Sequence, residues 1–217
     1  QTLSSVKRLS SVTTTSLAFD EALPSYGTVH GVLPNPDPQI AHAPPLMWAD
    51  ALDLLFSKLR DEGAPLAEIL AVAGSGQQHG SVYLNATASA AFAKLDPRRP
   101  LAVQLADTLA RPTSPIWMDS STTAECAEIR DRLGGAVRTA ELTGSTTFER
   151  FTGPQIRKFA KTEPDAYAQT AQIALVSSFM ASLLAGTIAP IDPGDGAGMN
   201  LMDIRSRRWL PEALDAT

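Results

Sequence analysis

The segment GSGQQHGS, residues 74–81, is the part of the chain whose residue types most resemble a reactive loop. It has no lysine before Ser81, which a phosphate-binding P-loop requires, and its glycines miss the GxGxxG spacing of dinucleotide-binding loops. Ser75 is preceded by Ala73 at the position where the nucleophile elbow of a serine hydrolase has its first glycine. The segment therefore predicts neither nucleotide binding nor a nucleophilic serine.

The remaining candidate ligands do not predict a metal site. Asp192, Gly194 and Gly196 stand where a calcium loop has its ligands at positions 1, 3 and 5, and two of these three lack a side-chain oxygen. The three histidines are widely separated, and the single cysteine, Cys126, cannot complete a zinc-binding spacing. Cys126 falls in an expected helix, where a buried apolar role is more typical than that of a nucleophile. We therefore expect no structural metal.

The charge and hydrophobicity of the chain exclude several classes of protein. The 18 Lys and Arg residues against 23 Asp and Glu give a net charge of −5, so no positive excess is present for binding nucleic acid. One cysteine cannot form an internal disulfide, which fits a reducing, cytoplasmic setting. No apolar run reaches the roughly 18 residues of a membrane helix. The 217 residues, 44% hydrophobic, predict a soluble globular protein of one large domain or two small ones.

The expected elements alternate between strands and helices, which predicts the α/β class. Apolar and β-branched runs predict strands at residues 9–12, 13–19, 69–73, 82–84, 115–118, 173–176 and 199–204. Helical periodicity, with proline and glycine at the ends, predicts helices at residues 45–63, 124–133, 137–143, 154–161, 164–170 and 177–184. Residues 24–45 have the composition of a long loop, of the kind that often flanks a site.

Asp119 stands at the junction between an expected buried strand and the helix that follows it. A carboxylate at this position can bond the free N–H groups at a helix start. Thr122 and Glu125, three residues apart, also predict a capping box for this helix. We expect Asp119 to act as a cap, a role compatible with an indirect one in organising a cleft.

Four segments, taken in order, resemble the sugar-binding lobe of the FGGY carbohydrate kinases, and among these the xylulokinase branch. The resemblance is collinear over roughly residues 19–217, and LVSSFMASLLAG lies between the last two segments. The segments are GSGQQHGSVY (74–83), PIWMDSSTTAEC (115–126), LTGSTTFERFTGPQIRK (142–158) and APIDPGDGAGMNLMDI (189–204). Any one of them alone would be a weak match, whereas four in sequence are specific.

The resemblance implies a fold and assigns sugar binding and ATP binding to different lobes. Each of two lobes would have a ribonuclease H-like fold of the actin and hexokinase type, a mixed sheet with flanking helices. Residues 1–217 would be the N-terminal sugar-binding domain, incomplete at its N-terminus, where the family has an Asp-x-Gly/Ser-Thr turn that helps to place magnesium and phosphate. The C-terminal ATP-binding lobe would be absent. The isolated chain should then expose apolar groups around MNLMDI and Trp209.

The same resemblance places Gln78, His79 and Arg150 at positions that contact the sugar, with Trp117 on the wall of the pocket and Asp119 in support. Amide, imidazole and guanidinium groups suit hydroxyls that both donate and accept, and an aromatic wall suits C–H faces. Each residue also has an ordinary structural interpretation. His79 could bond its own turn, Arg150 could pair with Glu149 in solvent, and Trp117 is expected mainly in the core.

The function implied is that of an ATP-dependent kinase that phosphorylates a ketose such as D-xylulose to xylulose 5-phosphate. ATP and Mg²⁺ would be the cofactors, held chiefly outside this chain, and the family's catalytic base would lie in the second lobe. No catalytic residue is assigned here, and the chain alone is expected to be inactive. The alternative is a non-catalytic sugar-binding or regulatory module derived from such a kinase. The expected partners are a sugar, a ketopentose above all, and the second lobe; a homodimer is left open.

Overall fold

The computed structural model describes residues 13–217, which mix short strands with helices. The α-helices are α1 (Phe19–Ala22), α2 (Pro45–Asp61), α3 (Ala88–Phe92), α4 (Leu101–Leu105), α5 (Thr123–Arg132), α6 (Ala136–Thr143), α7 (Thr152–Thr162), α8 (Pro164–Ala168), α9 (Val176–Ala185), α10 (Pro193–Gly196) and α11 (Pro211–Ala216). Short 3-10 helices lie at Pro24–Tyr26, Leu66–Glu68, Ala106–Thr108 and Ala197–Met199. Among these residues, no helix is long and apolar enough to cross a membrane.

The strands form pairs, all of them antiparallel in the described part of the chain. They are β1 (His42–Ala43), β2 (Ser81–Asn85), β3 (Ser114–Pro115), β4 (Thr170–Leu175), β5 (Met202–Asp203) and β6 (Arg208–Trp209). The pairs are β1 with β3, β2 with β4, and β5 with β6. The longest pair places Val82 opposite Ala174, and β4 continues directly into α9.

Strand β2 is almost entirely buried, and apolar clusters pack against both of its faces. Side chains alternate between the two faces of a strand, and the two apolar clusters follow this alternation. Val82 and Leu84 pack in the larger cluster, which includes Trp48 from α2 and Phe179 from α9. Tyr83 packs in a second cluster on the other face, with residues of α7. Helices thus cover both sides of the β2 and β4 pair.

The expected helices are confirmed with small shifts of their ends. Pro45 begins α2, and Gly63 follows it with a φ of +81°, which suits a residue without a Cβ. Buried residues of α2 lie in its first two turns, whereas Leu52, Leu55 and Leu59 further along the helix are only half-buried. The predicted capping box of α5 is wrong: Thr122 makes no cap, and its hydroxyl donates to the carbonyl of Glu149 at 2.6 Å.

Several expected strands are not found. Residues 13–18 have no regular structure, and α1 begins at Phe19; the strand expected at 9–12 lies outside the described residues. Residues 69–73 have no regular structure and are exposed, and only Met202–Asp203 of the expected strand 199–204 is strand. The described strands accordingly form three separate pairs instead of one mixed sheet. A strand needs a partner that the local sequence does not specify.

Candidate functional site

The turn at residues 78–80 places His79 two residues before the start of β2. His79 has a φ of +72°, a left-handed conformation that is uncommon for a residue with a side chain. Its imidazole is half-buried and lies against the ring of Phe151, with 4.7 Å between ring centroids. Its Nδ1 is 3.2 Å from the carbonyl oxygen of Gly198. Since a carbonyl only accepts, Nδ1 carries the hydrogen, and in the neutral ring Nε2 is left as an acceptor.

The electrostatic surroundings of His79 favour this neutral form. Burial lowers the pKa of the imidazole below its usual 6.5, and the cation of Arg150 lowers it further. The hydrogen bond to Gly198 and the carboxylate of Asp195 oppose this shift. The hydroxyl of Ser177 donates to Asp195 at 2.5 Å, so this carboxylate is fixed at the start of α9.

Gly198 lets the 3-10 helix Ala197–Met199 approach the histidine closely. A Cβ at this position would lie 2.8 Å from Cε1 and 3.0 Å from Nδ1 of His79, and 3.3 Å from Nε2 of Gln78. Distances under 3.0 Å require something to shift. Gln78 itself is exposed to solvent. The glycine is therefore needed for the packing of these two side chains and not for its backbone angle.

Trp117 is not a core residue as expected, because 47% of its surface is exposed. Strand β3 ends at Pro115 and Trp117 lies in the loop that follows, with its backbone N–H donating to Oε1 of Gln77 at 3.2 Å. The end of the long 24–45 loop supports this segment through the hydrogen bonds of Ala41 with Ile116 and Asp119. The Trp117 loop thus lies directly beside the 77–79 segment.

Arg150 stacks on aromatic rings and does not form the ion pair with Glu149 that was its alternative interpretation. Its guanidinium carbon lies 5.8 Å from the ring centroid of Trp117 and 4.9 Å from that of Phe148, within the range of cation–π attraction. Glu149 instead accepts a hydrogen bond from the hydroxyl of Thr123. Within residues 13–217 Arg150 makes no hydrogen bond or salt bridge, so its N–H groups are available to a ligand.

Asp119 is fully buried and does not cap α5, which begins at Thr123. One carboxylate oxygen accepts from the backbone N–H of Ala41 at 2.9 Å, and the other from the N–H and hydroxyl of Ser121 at 3.0 and 2.6 Å. Buried carboxylates are tolerated when hydrogen bonds satisfy them in this way. The expected cap is therefore wrong, while the position beneath the Trp117 loop agrees with an indirect role.

The structure thus brings together Gln78, His79, Trp117 and Arg150, the four predicted contact residues, and adds neighbours that the sequence reasoning missed. The missed residues are Gln77, Phe148, Phe151, Asp195 and Gly198. Phe148 and Phe151 flank the Glu-Arg pair in TTFERFTG, so their aromatic character was a readable signal. Gly198 and Asp195 carried no comparable signal, because only the fold brings them to residue 79.

The described residues do not fit a magnesium site. Among residues 13–217, no group of three or more His, Cys, Asp or Glu side chains could hold a metal ion. Ser177 already bonds Asp195, and Asp192 accepts from the N–H of Gly194. In the described part of the chain these two carboxylates are thus already engaged, and no set of ligands for Mg²⁺ is formed.

These features define an α/β lobe with a polar and aromatic site on one surface. The chain belongs to the FGGY family of carbohydrate kinases, whose N-terminal domain matches residues 107–217. Xylulose kinase 2 of Arabidopsis thaliana is 48% identical over 211 residues, which is 96% of this chain and 38% of that protein. Xylulose kinase of Mus musculus is 46% identical over 200 residues, 92% of this chain and 36% of that protein. The chain therefore spans little more than a third of these relatives.

Solved structures agree on the fold. Xylulose kinase from Rhodospirillum rubrum matches with a TM-score of 0.68 and 16% identity, over 86% of this chain and 34% of that one. Xylulose kinase from Bifidobacterium adolescentis matches with a TM-score of 0.63 and 19% identity, over 84% of this chain and 36% of that one. The expected family and the actin and hexokinase type of α/β fold are confirmed.

Proposed function

We propose that the site formed by Gln78, His79, Trp117 and Arg150 binds a sugar, and that the chain is the sugar-binding domain of an ATP-dependent kinase acting on a ketose such as D-xylulose. The observation that carries this proposal is the convergence of His79 and Arg150 beside the exposed face of Trp117. The names of the relatives, xylulose kinases at 46–48% identity, support the choice of substrate.

The chemistry of these groups suits a polyol. In the neutral His79 ring, Nε2 can accept a hydrogen bond from a hydroxyl, while the guanidinium of Arg150 can only donate. The amide of Gln78 offers both functions, and the indole of Trp117 offers an apolar face to C–H groups. A sugar hydroxyl both donates and accepts, so this combination can satisfy several hydroxyls at fixed positions.

The domain assignment and the cofactors belong to the same proposal. Residues 1–217 would form one sugar-binding domain, and ATP with Mg²⁺ would be held mainly by a second lobe. Phosphoryl transfer depends chiefly on positioning and on charge stabilisation, so this domain would contribute by fixing the acceptor hydroxyl. The proposed setting is the cytoplasm, where the buried, unpaired thiol of Cys126 is compatible with reducing conditions.

The test is steady-state kinetics on the complete protein that carries this sequence. We expect His79→Ala and Arg150→Ala each to lower kcat/KM for D-xylulose by about ten- to a hundredfold, since a lost hydrogen bond to a polar substrate costs roughly 1.5–3 kcal/mol. The matched control is Arg98→Ala, because the Arg98 side chain is 88% exposed and contacts only Asp96 among charged groups. Unchanged kcat/KM in both site variants would remove these residues from the site.

A further inference from the structure

Gln155 joins the two loops of the site. It lies in the first turn of α7 and only 2% of its surface is exposed. Its side-chain amide nitrogen donates to Oδ1 of Asp119 at 2.7 Å and to the carbonyl oxygen of Glu149 at 3.1 Å. An amide –NH₂ has two hydrogens to donate, so both are used here.

The two acceptors of this amide belong to different loops. Asp119 is two residues from Trp117 and is fixed by the backbone of Ala41. Glu149 directly precedes Arg150, and its carbonyl also accepts from the hydroxyl of Thr122 at 2.6 Å. A hydrogen bond to a buried carboxylate is stronger than one between neutral groups, so the Gln155–Asp119 bond is the stronger of the two hydrogen bonds.

We infer that Gln155 is a positioning residue of the sugar site. By joining the two loops it sets the spacing between the Trp117 indole and the Arg150 guanidinium. This inference rests on the sugar-binding role proposed above. The stacking distance of 5.8 Å between those two groups depends on loops that meet at the Gln155 amide. Gln155 does not contact the proposed ligand. Thr122 supports the same carbonyl from the start of α5, through the 2.6 Å hydrogen bond of its hydroxyl to Glu149.

The experiment uses Gln155→Met in the complete protein, because Met has a similar length and no hydrogen to donate. We expect the KM for D-xylulose to rise about five- to tenfold, because both buried hydrogen bonds of the amide are lost, while the KM for ATP stays the same. In the Arg150→Ala background, the same change should raise the KM for D-xylulose by less than about twofold. The reason is that Gln155 acts through the Arg150 side chain, which is absent in this background.

The controls separate positioning from general weakening of the fold. Ile129→Val removes a methylene from a fully buried residue of α5 whose apolar cluster does not include the site residues, so it should leave the KM for D-xylulose unchanged. If Gln155→Met does not fold, Thr122→Val replaces it, with an expected rise of about two- to threefold that also disappears in the Arg150→Ala background.

The outcomes distinguish this inference from the proposed function. An unchanged KM in Gln155→Met, or an effect that multiplies with that of Arg150→Ala, overturns the positioning role and leaves the sugar site in place. If Arg150→Ala itself leaves the KM for D-xylulose unchanged, the proposed sugar contact fails, and the positioning role fails with it.

Discussion

At the scale of single residues, His42 shows how burial sets a charge state. Its Nδ1 lies 2.9 Å from the hydroxyl of Thr113, and its Nε2 lies 3.6 Å from Asp119. Burial, and after it the cation of Arg111, lowers the pKa of the imidazole to about 4, against the partial opposition of Asp119. His42 is therefore neutral at pH 7, next to the carboxylate that supports the Trp117 loop.

This charge state predicts a pH dependence of stability. The unfolded chain protonates His42 near pH 6.5, while the folded chain does so near pH 4, so the unfolded state binds more protons in between. We expect the free energy of unfolding to fall as the pH drops from 6.5 to 4, by about 3 kcal/mol from this group. Denaturant unfolding of wild type and His42→Gln across this range measures the difference.

The matched control for this measurement is His30→Asn, because His30 is exposed and its φ of +54° is one that Asn tolerates. The control should keep the full decline of stability between pH 6.5 and 4. Equal declines in wild type and His42→Gln would show that His42 titrates normally and that its burial has no electrostatic consequence.

The sequence predicted which residues lie near one another better than it predicted their surroundings. His79 and Arg150 could be placed because their flanking motifs resemble those of the family. The sequence predicts Trp117 mainly in the core, since a large apolar residue after an apolar run is usually buried, yet the loop after β3 turns it outward. Exposure of one side chain depends on the path of a loop, which residue type alone does not determine.

At the scale of elements, the contact between the 3-10 helix Ala197–Met199 and the 78–80 turn depends on a glycine. Gly198 has no positive φ, so alanine is compatible with its backbone. The added Cβ would nevertheless meet the His79 ring at 2.8 Å. The helix and the turn would have to move apart, or the imidazole would have to rotate.

We therefore expect Gly198→Ala in the complete protein to lower kcat/KM for D-xylulose about tenfold and stability by about 1–3 kcal/mol, the usual cost of overpacking. The matched control is Gly74→Ala, because nothing lies within 4 Å of a Cβ there. Kinetics and thermal unfolding of both variants provide the comparison. A Gly198→Ala protein with the activity of wild type would show that this contact is loose.

Each predicted helix is found, whereas among the predicted strands only 82–84 and 173–176 lie largely within strands, β2 and β4, for a physical reason. The ends of α5 and α6 follow from local signals such as Gly134 and Gly135, whose φ values of +87° and +102° suit glycine alone. A strand such as β2 is stable only through its pairing with β4, some 90 residues later in the chain. The apolar run at 69–73 has the composition of a strand but pairs with no described residue.

At the scale of the whole molecule, the exposed apolar side chains lie only partly where the sequence predicts them. Met199, Leu201 and Met202, within the segment expected to be uncovered, are buried, whereas Ile204 and Trp209, which are 39% and 48% exposed, agree with the expectation. The larger uncovered surface is at residues 69–72, where Leu70 is fully exposed and Val72 is 56% exposed.

This segment combines two features that favour self-association. Its apolar side chains reach solvent, and the backbone groups of residues 70–79 make no backbone hydrogen bond to residues 13–217. Unpaired N–H and C=O groups on an extended apolar segment act as a template for another strand. Helical residues with similar exposure lack this property, because their backbone groups are already bonded within the helix.

We therefore expect the double variant Leu70→Lys/Val72→Lys to reduce self-association of the purified 217-residue chain by at least about tenfold in light scattering, since charge on an exposed edge opposes pairing. The control is Leu54→Lys in the middle of α2, because Leu54 is 37% exposed but its backbone groups are bonded within the helix. If both variants reduced scattering equally, net charge would be the cause. If neither did, the unpaired segment would not be the surface on which copies of the chain meet.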